Sequence, residues 1–358
     1  MQIKKKYMLR AIELAASHLG KTAPNPSVGC VIVSNDKIIA EAATAISGSP
    51  HAERIALDNA TGKTNGSDMY VTLEPCSHKG KNLPCVDFVI ASKPARVIIA
   101  NRDPNPLVNG EGIAKLKASG IEVVEGFCEV EAFEVNKYFF KRITKNIPYV
   151  TVKIASSLDG KIGLSNGDSK WITGEEARNL VQQMRVETDA LLTGVGTVLA
   201  DDPKMDVRID GLEEFSPFKF IIDRDVKTPK TSNILLGKKA YIFASKFEEG
   251  FDDNVEIILL DENTEHKLNL RQALEKISQQ GLSSVLVEAG TGVISNLLEE
   301  DLIDEIKLFT APKILGSDAK SFIFELNLTG IEEEKFEVID TKIVGKDTLT
   351  TFRKKSLD

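Results

Sequence analysis

The chain has 358 residues, 42% of them hydrophobic and 27% charged, which is enough apolar material for two buried cores. Its net charge of −8 argues against an extended nucleic-acid surface, because such surfaces are usually basic. Four cysteines are too few to staple a chain of this size, so we expect reduced thiols and a cytoplasmic protein. No segment reaches the roughly 18 apolar residues of a membrane span, and we expect no membrane contact.

The first part of the chain alternates strand-like and helix-like segments, which is typical of a layered α/β sheet. Apolar residues at helical spacing predict the first helix, and short β-rich runs between polar turns predict the strands. The predicted helices are 3–19, 51–60, 84–92, 111–119 and 129–144, and the predicted strands are 28–33, 37–42, 69–73, 96–100 and 121–124.

A polar stretch that follows a helix and ends at Pro148 predicts a domain boundary, which divides the chain into 1–145 and 146–358. A second α/β pattern begins there, and it is not a copy of the first. Its predicted strands are 149–155, 189–193, 218–222, 239–243, 255–260, 283–288 and 304–311, with more strand in 336–354; its predicted helices are 174–187, 268–280 and 292–300.

One His, one Glu and two Cys form the strongest chemical signal: His51, Glu53, Cys76 and Cys85. Imidazole and two thiolates are zinc ligands, and three protein ligands leave the fourth position to water. Zinc lowers the pKa of such a water to about 7, and a glutamate two residues beyond the histidine can move its protons. This His-x-Glu with a later Pro-Cys is the signature of zinc deaminases, although the usual two residues between the cysteines are eight here. Cys85 lies at the start of a predicted helix, which favours the thiolate.

The other two cysteines and a further histidine have structural interpretations. Cys30 and Cys128 are expected to be core or inert cysteines, because free Cys is among the most buried residue types. His78 is a candidate fourth ligand, which would make the zinc purely structural and would leave Glu53 without a task.

With these residues in place, the sequence resembles the bifunctional deaminase–reductase family of riboflavin biosynthesis, called RibD or RibG. The resemblance covers almost the whole chain, and the eight-residue spacing between the cysteines is itself typical of the family. Asn82 and Leu83 stand where Thr and Pro are more usual, and Met205-Asp206 stands where Leu-Thr is commoner. The motifs that carry the resemblance are 23–30, 50–53, 72–78 and 103–106 in the first part, and 155–161, 169–173, 197–203, 287–290 and 311–316 in the second.

The resemblance implies a cytidine-deaminase-like three-layer α/β/α domain followed by a dihydrofolate-reductase-like α/β domain. It implies zinc-dependent hydrolysis of the 2-amino group of 2,5-diamino-6-(5-phosphoribosylamino)pyrimidin-4(3H)-one, then NADPH-dependent reduction of the ribosyl group to ribityl. The cofactors would be one Zn²⁺ per deaminase domain and NADPH. The partners would be phosphoribosyl-aminopyrimidines, with no nucleic acid and no membrane, and we expect a homo-oligomer.

The resemblance also implies site residues beyond the zinc ligands His51, Cys76 and Cys85 and the catalytic Glu53. The deaminase substrate would contact Asn25, His78, Lys81, Asp103 and Asn105. NADPH would contact Ala155, Trp171, Thr197, Asp201, Gly290, Thr291, Gly292, Val293, Ile294, Ser295 and Asn296. The reductase substrate would contact Ser169, Arg185, Met205, Arg208 and Glu288. The two arginines suit a phosphate, which a guanidinium binds through two hydrogen bonds.

A Gly-x-Gly at 194–196 is a candidate dinucleotide fingerprint, but the next expected small residue is Leu199, so we reject a Rossmann fold. Gly290 and Gly292 precede a predicted helix whose amides suit a phosphate, although a helix C-cap or a tight turn is favoured for a lone pair of glycines. Two functions remain as alternatives to the riboflavin enzyme. One is a zinc deaminase that acts on RNA bases with a C-terminal binding domain, and the other is a non-catalytic zinc scaffold.

Overall fold

The computed structural model describes residues 2–77, 83–106, 108–323 and 335–355, so His78 and Lys81 lie outside the described residues. The chain divides into two compact units, Met1–Asn146 and Ile147–Asp358, one residue beyond the boundary expected from the sequence. No helix among the described residues is both long and apolar enough to cross a membrane.

The first unit is built on a five-stranded sheet with the order β2-β1-β3-β4-β5. Strands β1 and β2 form an antiparallel hairpin, β1 also runs antiparallel to β3, and β3, β4 and β5 are parallel. Every residue of the central strand β3 is buried, as expected for a strand that is covered on both faces. The strands are β1 (Gly29–Ser34), β2 (Lys37–Ala43), β3 (Asp68–Leu73), β4 (Arg96–Asn101) and β5 (Glu122–Val124).

Helices cover both faces of this sheet, which gives three layers. Alternate residues of β1 point to opposite faces, so Val31 joins one apolar cluster and Ile32 the other. Helix α1 lies so close to β1 that a Cβ on Gly29 would be 1.8 Å from the Ala11 carbonyl oxygen. The helices are α1 (Lys5–Ala16), α2 (Ala52–Asn59), α3 (Cys85–Ser92), α4 (Glu111–Ala118) and α5 (Glu129–Lys145).

The second unit is built on a nine-stranded sheet with the order β11-β10-β9-β8-β12-β6-β13-β16-β15. The first seven of these are parallel, and a C-terminal antiparallel hairpin closes one edge against β13. A separate two-stranded ribbon pairs β14 with β7. The strands are β6 (Tyr149–Ser157), β7 (Lys161–Gly163), β8 (Ala190–Gly194), β9 (Phe218–Ile222), β10 (Ala240–Ala244), β11 (Val255–Leu259), β12 (Ser284–Val287), β13 (Glu305–Ala311), β14 (Lys320–Ser321), β15 (Phe336–Val344) and β16 (Asp347–Lys354).

The described residues of the second unit form four α-helices, and apolar side chains from the strands pack against them. The rings of Phe220 and Tyr241 stack on neighbouring strands with centroids 4.6 Å apart. The helices are α6 (Glu175–Val186), α7 (Val195–Asp201), α8 (Leu270–Gln279) and α9 (Thr291–Glu299).

The mixed α/β fold expected for both parts is confirmed. Besides short 3-10 turns, the described residues add one α-helix and two strands that the sequence patterns did not predict: α7, β7 and β14. Helix α7 has seven residues and contains Gly196, a poor helix former, so neither its length nor its composition signals a helix. The ribbon strands have three and two residues, too few for an alternating pattern.

Candidate active sites

Three side chains of the first unit converge as zinc ligands would. His51 precedes α2, Cys85 is the first residue of α3, and Cys76 lies three residues beyond β3. Their ligand atoms all lie within 4.8 Å of one another. The His51 Nδ1 atom is 3.2 Å from the Cys85 sulfur and 3.6 Å from the Cys76 sulfur. A tetrahedral zinc separates such nitrogen and sulfur ligands by about 3.6 Å, so the three residues fit the metal.

The two thiols influence each other strongly. The hydrogen bond from Cys85 lowers the pKa of Cys76, and the backbone N–H of Cys85 also points at the Cys76 sulfur, 3.3 Å away. The nearby Cys76 sulfur, together with burial, raises the pKa of Cys85. Two thiolates this close together therefore need a cation, which is the chemistry of a metal ligand pair.

Glu53 lies in the first turn of α2 beside this cluster, with 3% of its surface exposed. Burial raises the pKa of its carboxyl group to about 7, against the lowering effect of His51. Because a charged carboxylate is costly to bury, this group is suited to holding a proton and returning it.

Three of the predicted deaminase substrate residues lie among the described residues: Asn25, Asp103 and Asn105. Asn25 donates a hydrogen bond from its amide to the Gly48 carbonyl at 2.8 Å, in the turn that leads to His51. Asp103 and Asn105 follow β4, whose neighbour β3 leads to Cys76, and the Asp103 carboxylate accepts the Asn105 N–H at 2.8 Å. These contacts fix the loop before His51 and the loop that follows β4.

The second unit contains a cavity of about 800 Å³ at the carboxyl ends of its parallel strands, where α/β sheets commonly bind ligands. Nearly every predicted cofactor and substrate residue of this unit lines it. Ser295 does not, because its side chain is buried on α9 with 2% of its surface exposed. The lining residues from the predicted set are Ala155, Ser169, Trp171, Arg185, Thr197, Asp201, Met205, Arg208, Glu288, Gly290, Thr291, Gly292, Val293, Ile294 and Asn296.

A buried ion cluster forms one wall of the cavity. Arg185 donates to the Glu288 carboxylate at 2.7 Å and to the Asp206 carbonyl oxygen at 2.9 Å. Lys153 approaches the other Glu288 oxygen at 3.4 Å. Burial alone would raise the pKa of Glu288, but the positive charges of Arg185 and Lys153 outweigh it and lower the pKa to about 2. Glu288 is therefore charged at neutral pH and holds both cations in place.

Trp171 forms another part of the cavity wall, with 62% of its surface exposed. The guanidinium of Arg178 lies 4.6 Å from the centre of the Trp171 ring and donates a hydrogen bond to the Thr173 carbonyl at 2.9 Å. Lys313 donates to the Trp171 carbonyl at 2.6 Å. The ring is thus held in place while much of its surface stays open to the cavity, unlike that of a core tryptophan.

Met205 and Arg208 lie in a loop with an unusual backbone, since Met205 has a φ of +54°. The loop is held against the sheet, because the side chain of Asp206 pairs with Lys219, which is fully buried in β9. The Arg208 backbone N–H donates to Gln182 at 2.8 Å, while its side chain is exposed beside the cavity.

The structure reveals cavity residues that the sequence analysis missed or set aside. Lys153 lies inside β6, and a lysine within a buried strand is a usable signal because it needs a partner. Arg178 carries no such signal. Gly194 and Gly196, which we rejected as a Rossmann fingerprint, do line the cavity at the start of α7.

The cavity fits a dinucleotide. The backbone of residues 290–292 opens helix α9 at its wall, and helix N-termini bind phosphates. A Cβ on Gly194 would lie 2.9 Å from the Val293 side chain, so the chain approaches α9 closely there. Arg208, Lys170 and Lys204 supply positive charge along the same walls.

Comparison with known proteins matches both units. Residues 1–101 match the cytidine and deoxycytidylate deaminase zinc-binding region, and residues 148–345 match the RibD C-terminal domain. The chain is 38% identical to the riboflavin biosynthesis protein RibD of Aquifex aeolicus, with 99% of both chains covered. It is also 38% identical to the Escherichia coli protein of the same name, over 95% of this chain and 96% of that one.

Two solved structures agree over the whole chain. RibD of Acinetobacter baumannii superposes with a TM-score of 0.91 at 36% identity, covering 98% of this chain and 99% of that one. The Thermotoga maritima diaminohydroxyphosphoribosylaminopyrimidine deaminase/5-amino-6-(5-phosphoribosylamino)uracil reductase superposes with a TM-score of 0.89 at 37% identity, covering 98% of each chain.

Fold and sites together define a two-domain enzyme that couples a zinc deaminase to an NADPH-dependent reductase. The chain belongs to the RibD family, and its two activities serve riboflavin biosynthesis. The alternative of an RNA-base deaminase is not supported, since the family match extends through both domains.

Proposed function

We propose that the first domain deaminates 2,5-diamino-6-(5-phosphoribosylamino)pyrimidin-4(3H)-one to 5-amino-6-(5-phosphoribosylamino)uracil, and that the second reduces this product to 5-amino-6-(5-phosphoribitylamino)uracil. The observation that carries the proposal is the pairing, in one chain, of a His/Cys/Cys cluster beside a buried glutamate with a large cationic cavity. The name of the Thermotoga maritima relative describes the same two steps.

In the deamination, His51, Cys76 and Cys85 would hold zinc, which would supply an activated water molecule at neutral pH. Glu53 takes a proton from the attacking water and delivers it to the amino group, which leaves as ammonia while the ring carbon becomes a carbonyl. The burial of Glu53 supports this role, because near neutral pH its carboxyl group can then be either protonated or ionised. Substrate contacts are proposed for Asn25, His78, Lys81, Asp103 and Asn105.

In the reduction, bound NADPH would supply the hydride, which adds to C1′ of the ribosyl group, the carbon bonded to the amino nitrogen, once the sugar ring has opened to the imine; the nitrogen takes up a proton. Arg185 and Arg208 bind the substrate phosphate, and Glu288 holds Arg185 in the orientation that this requires. Ser169 and Met205 complete the substrate set. The cofactor contacts are proposed for Ala155, Trp171, Thr197, Asp201 and residues 290–296, with Ser295 contributing its backbone because its side chain is buried.

The proposal includes a cytoplasmic location, because both cysteine ligands must stay reduced to bind the metal. It also includes small-molecule partners without nucleic acid or membrane, which the net charge of −8 supports. A homo-oligomer stays a prediction, which light scattering on the purified chain tests.

Incubation of the zinc-loaded chain with the diaminopyrimidine tests the function, with each product identified by mass. Without NADPH, we expect the deaminated compound and one ammonia per substrate. With NADPH, we expect the ribityl product. Release of ammonia from RNA oligonucleotides, with none from the free pyrimidine, would overturn the proposal.

A further inference from the structure

We propose that Glu74 is a positioning residue for the deaminase, because its carboxylate fixes the loop that carries two substrate residues to the chain that carries a zinc ligand. That loop, here called the Asp103 loop, comprises residues 102–106 and 108–110. Glu74 directly follows β3, lies two residues before Cys76 and has 3% of its surface exposed. This inference deepens the proposed function and rests on it, since it concerns the same substrate site.

The Glu74 carboxylate accepts three hydrogen bonds, all from backbone N–H groups of one stretch of chain. One oxygen accepts from Gly110 at 2.9 Å and from Asp103 at 3.3 Å. The other accepts from Ile113, in the first turn of α4, at 3.1 Å. The donors stand at the start of the Asp103 loop, at its end and in the following helix, so one side chain ties both ends of the loop and α4 to the residue that follows β3.

The contact is reinforced by packing around it. The Glu74 N–H donates to the Asn101 carbonyl at 2.9 Å, and Lys115 of α4 donates to the Ser77 carbonyl at 3.0 Å. A Cβ on Gly112 would lie 2.3 Å from the Pro75 carbonyl oxygen and 3.2 Å from a Glu74 oxygen. Helix α4 therefore rests directly on the chain around Cys76, at a distance that only glycine permits.

An ionised carboxyl group suits this place because it only accepts hydrogen bonds. A glutamine has the same shape, but its amide NH₂ would face one or two of the three N–H donors and would push them away. Since the Asp103 carboxylate accepts the Asn105 N–H, a shift at Asp103 also moves Asn105. The zinc ligands make no hydrogen bond to the Glu74 side chain among the described contacts, so the substitution separates substrate positioning from metal binding.

The test compares Glu74→Gln with Glu111→Gln, an exposed glutamate on α4 that serves as the matched control. In the full-length zinc-loaded chain, we expect Glu74→Gln to raise the deaminase KM about tenfold while kcat changes much less. Zinc content and reduction of the deaminated intermediate by NADPH should match the wild type, because the second domain is untouched. The control should match the wild type in every measurement.

A second variant, Gly112→Ala, moves α4 away from Glu74 without altering any polar side chain and should raise the same KM. The proposal is overturned if both variants keep the wild-type KM, if kcat falls with KM unchanged, or if zinc is lost in proportion to activity. Failure of the wild type to deaminate the pyrimidine would instead contradict the proposed function. The two outcomes are distinguishable, because the first is measured in the variants and the second in the wild type.

Discussion

The metal centre and the cofactor cavity are built from the chain in opposite ways. The zinc ligands and Glu53 come from 35 consecutive positions and converge on one point. The cavity instead draws on separate segments between Lys153 and Lys320, none of which is sufficient alone. The first kind of site depends on every member, whereas the second distributes binding over many contacts. We therefore expect substitutions in the metal centre to abolish activity and those in the cavity to reduce it in steps.

The largest effect is expected at Glu53. Glu53→Gln removes the proton carrier but no metal ligand, so the deamination rate should fall about 10³-fold with zinc still bound. Cys85→Ser should lose zinc and deamination together. In both variants, NADPH oxidation with the deaminated intermediate should continue at the wild-type rate. Metal analysis and ammonia release measure these effects. Deamination that survives in Glu53→Gln with zinc bound would contradict the role of Glu53 as proton carrier.

Arg185 tests the distributed site. Arg185→Met removes the proposed phosphate ligand and leaves Glu288 buried, with Lys153 still 3.4 Å from its carboxylate. We expect kcat/KM of the reduction to fall about 10²-fold, since losing one partner of a buried charge pair costs about 3 kcal/mol. Deamination should be unchanged. Arg271→Met, on the exposed surface of α8, is the control, and an equal loss in that variant would refute a specific role for Arg185.

A smaller effect is expected at Arg178, behind the Trp171 ring. Arg178→Met loses the contact with the ring and the hydrogen bond to Thr173, which together should raise the Kd for NADPH about tenfold. Trp171 is the only tryptophan of the chain, so its fluorescence on NADPH titration reports this site directly. Arg54→Met removes a comparable stack on Phe88 in the first unit and should leave NADPH binding unchanged. Equal Kd values in both variants would show that Arg178 does not support the cofactor wall.

The contrast between the metal centre and the cofactor cavity also explains what could be predicted from the sequence. His51, Cys76 and Cys85 were identified from ligand chemistry and spacing, because zinc restricts both the residue types and their geometry. Most of the strands and helices followed from apolar periodicity. The prediction of the cavity residues rested only on the family resemblance, since the sequence around a loop arginine or glycine has no local pattern that indicates a ligand. Lys153, Arg178 and Glu74 escaped notice because their roles arise from contacts with residues that are distant along the chain.

The smallest effect is expected on stability, and it comes from Glu288, which also holds Arg185 in the substrate site. Its pKa is lowered to about 2 in the folded chain, so the charged carboxylate stabilises the fold above its ordinary pKa, near 4.5. That stabilisation is lost as the pH falls from there towards 2. Glu288→Gln should therefore lower the thermal midpoint of the second unit by about 5 °C at pH 7, and the difference should shrink below about pH 4. Trp171 fluorescence follows this transition, with the exposed Glu249→Gln as control. A difference that stays constant between pH 7 and pH 3 would mean that Glu288 acts through its shape and not through its charge.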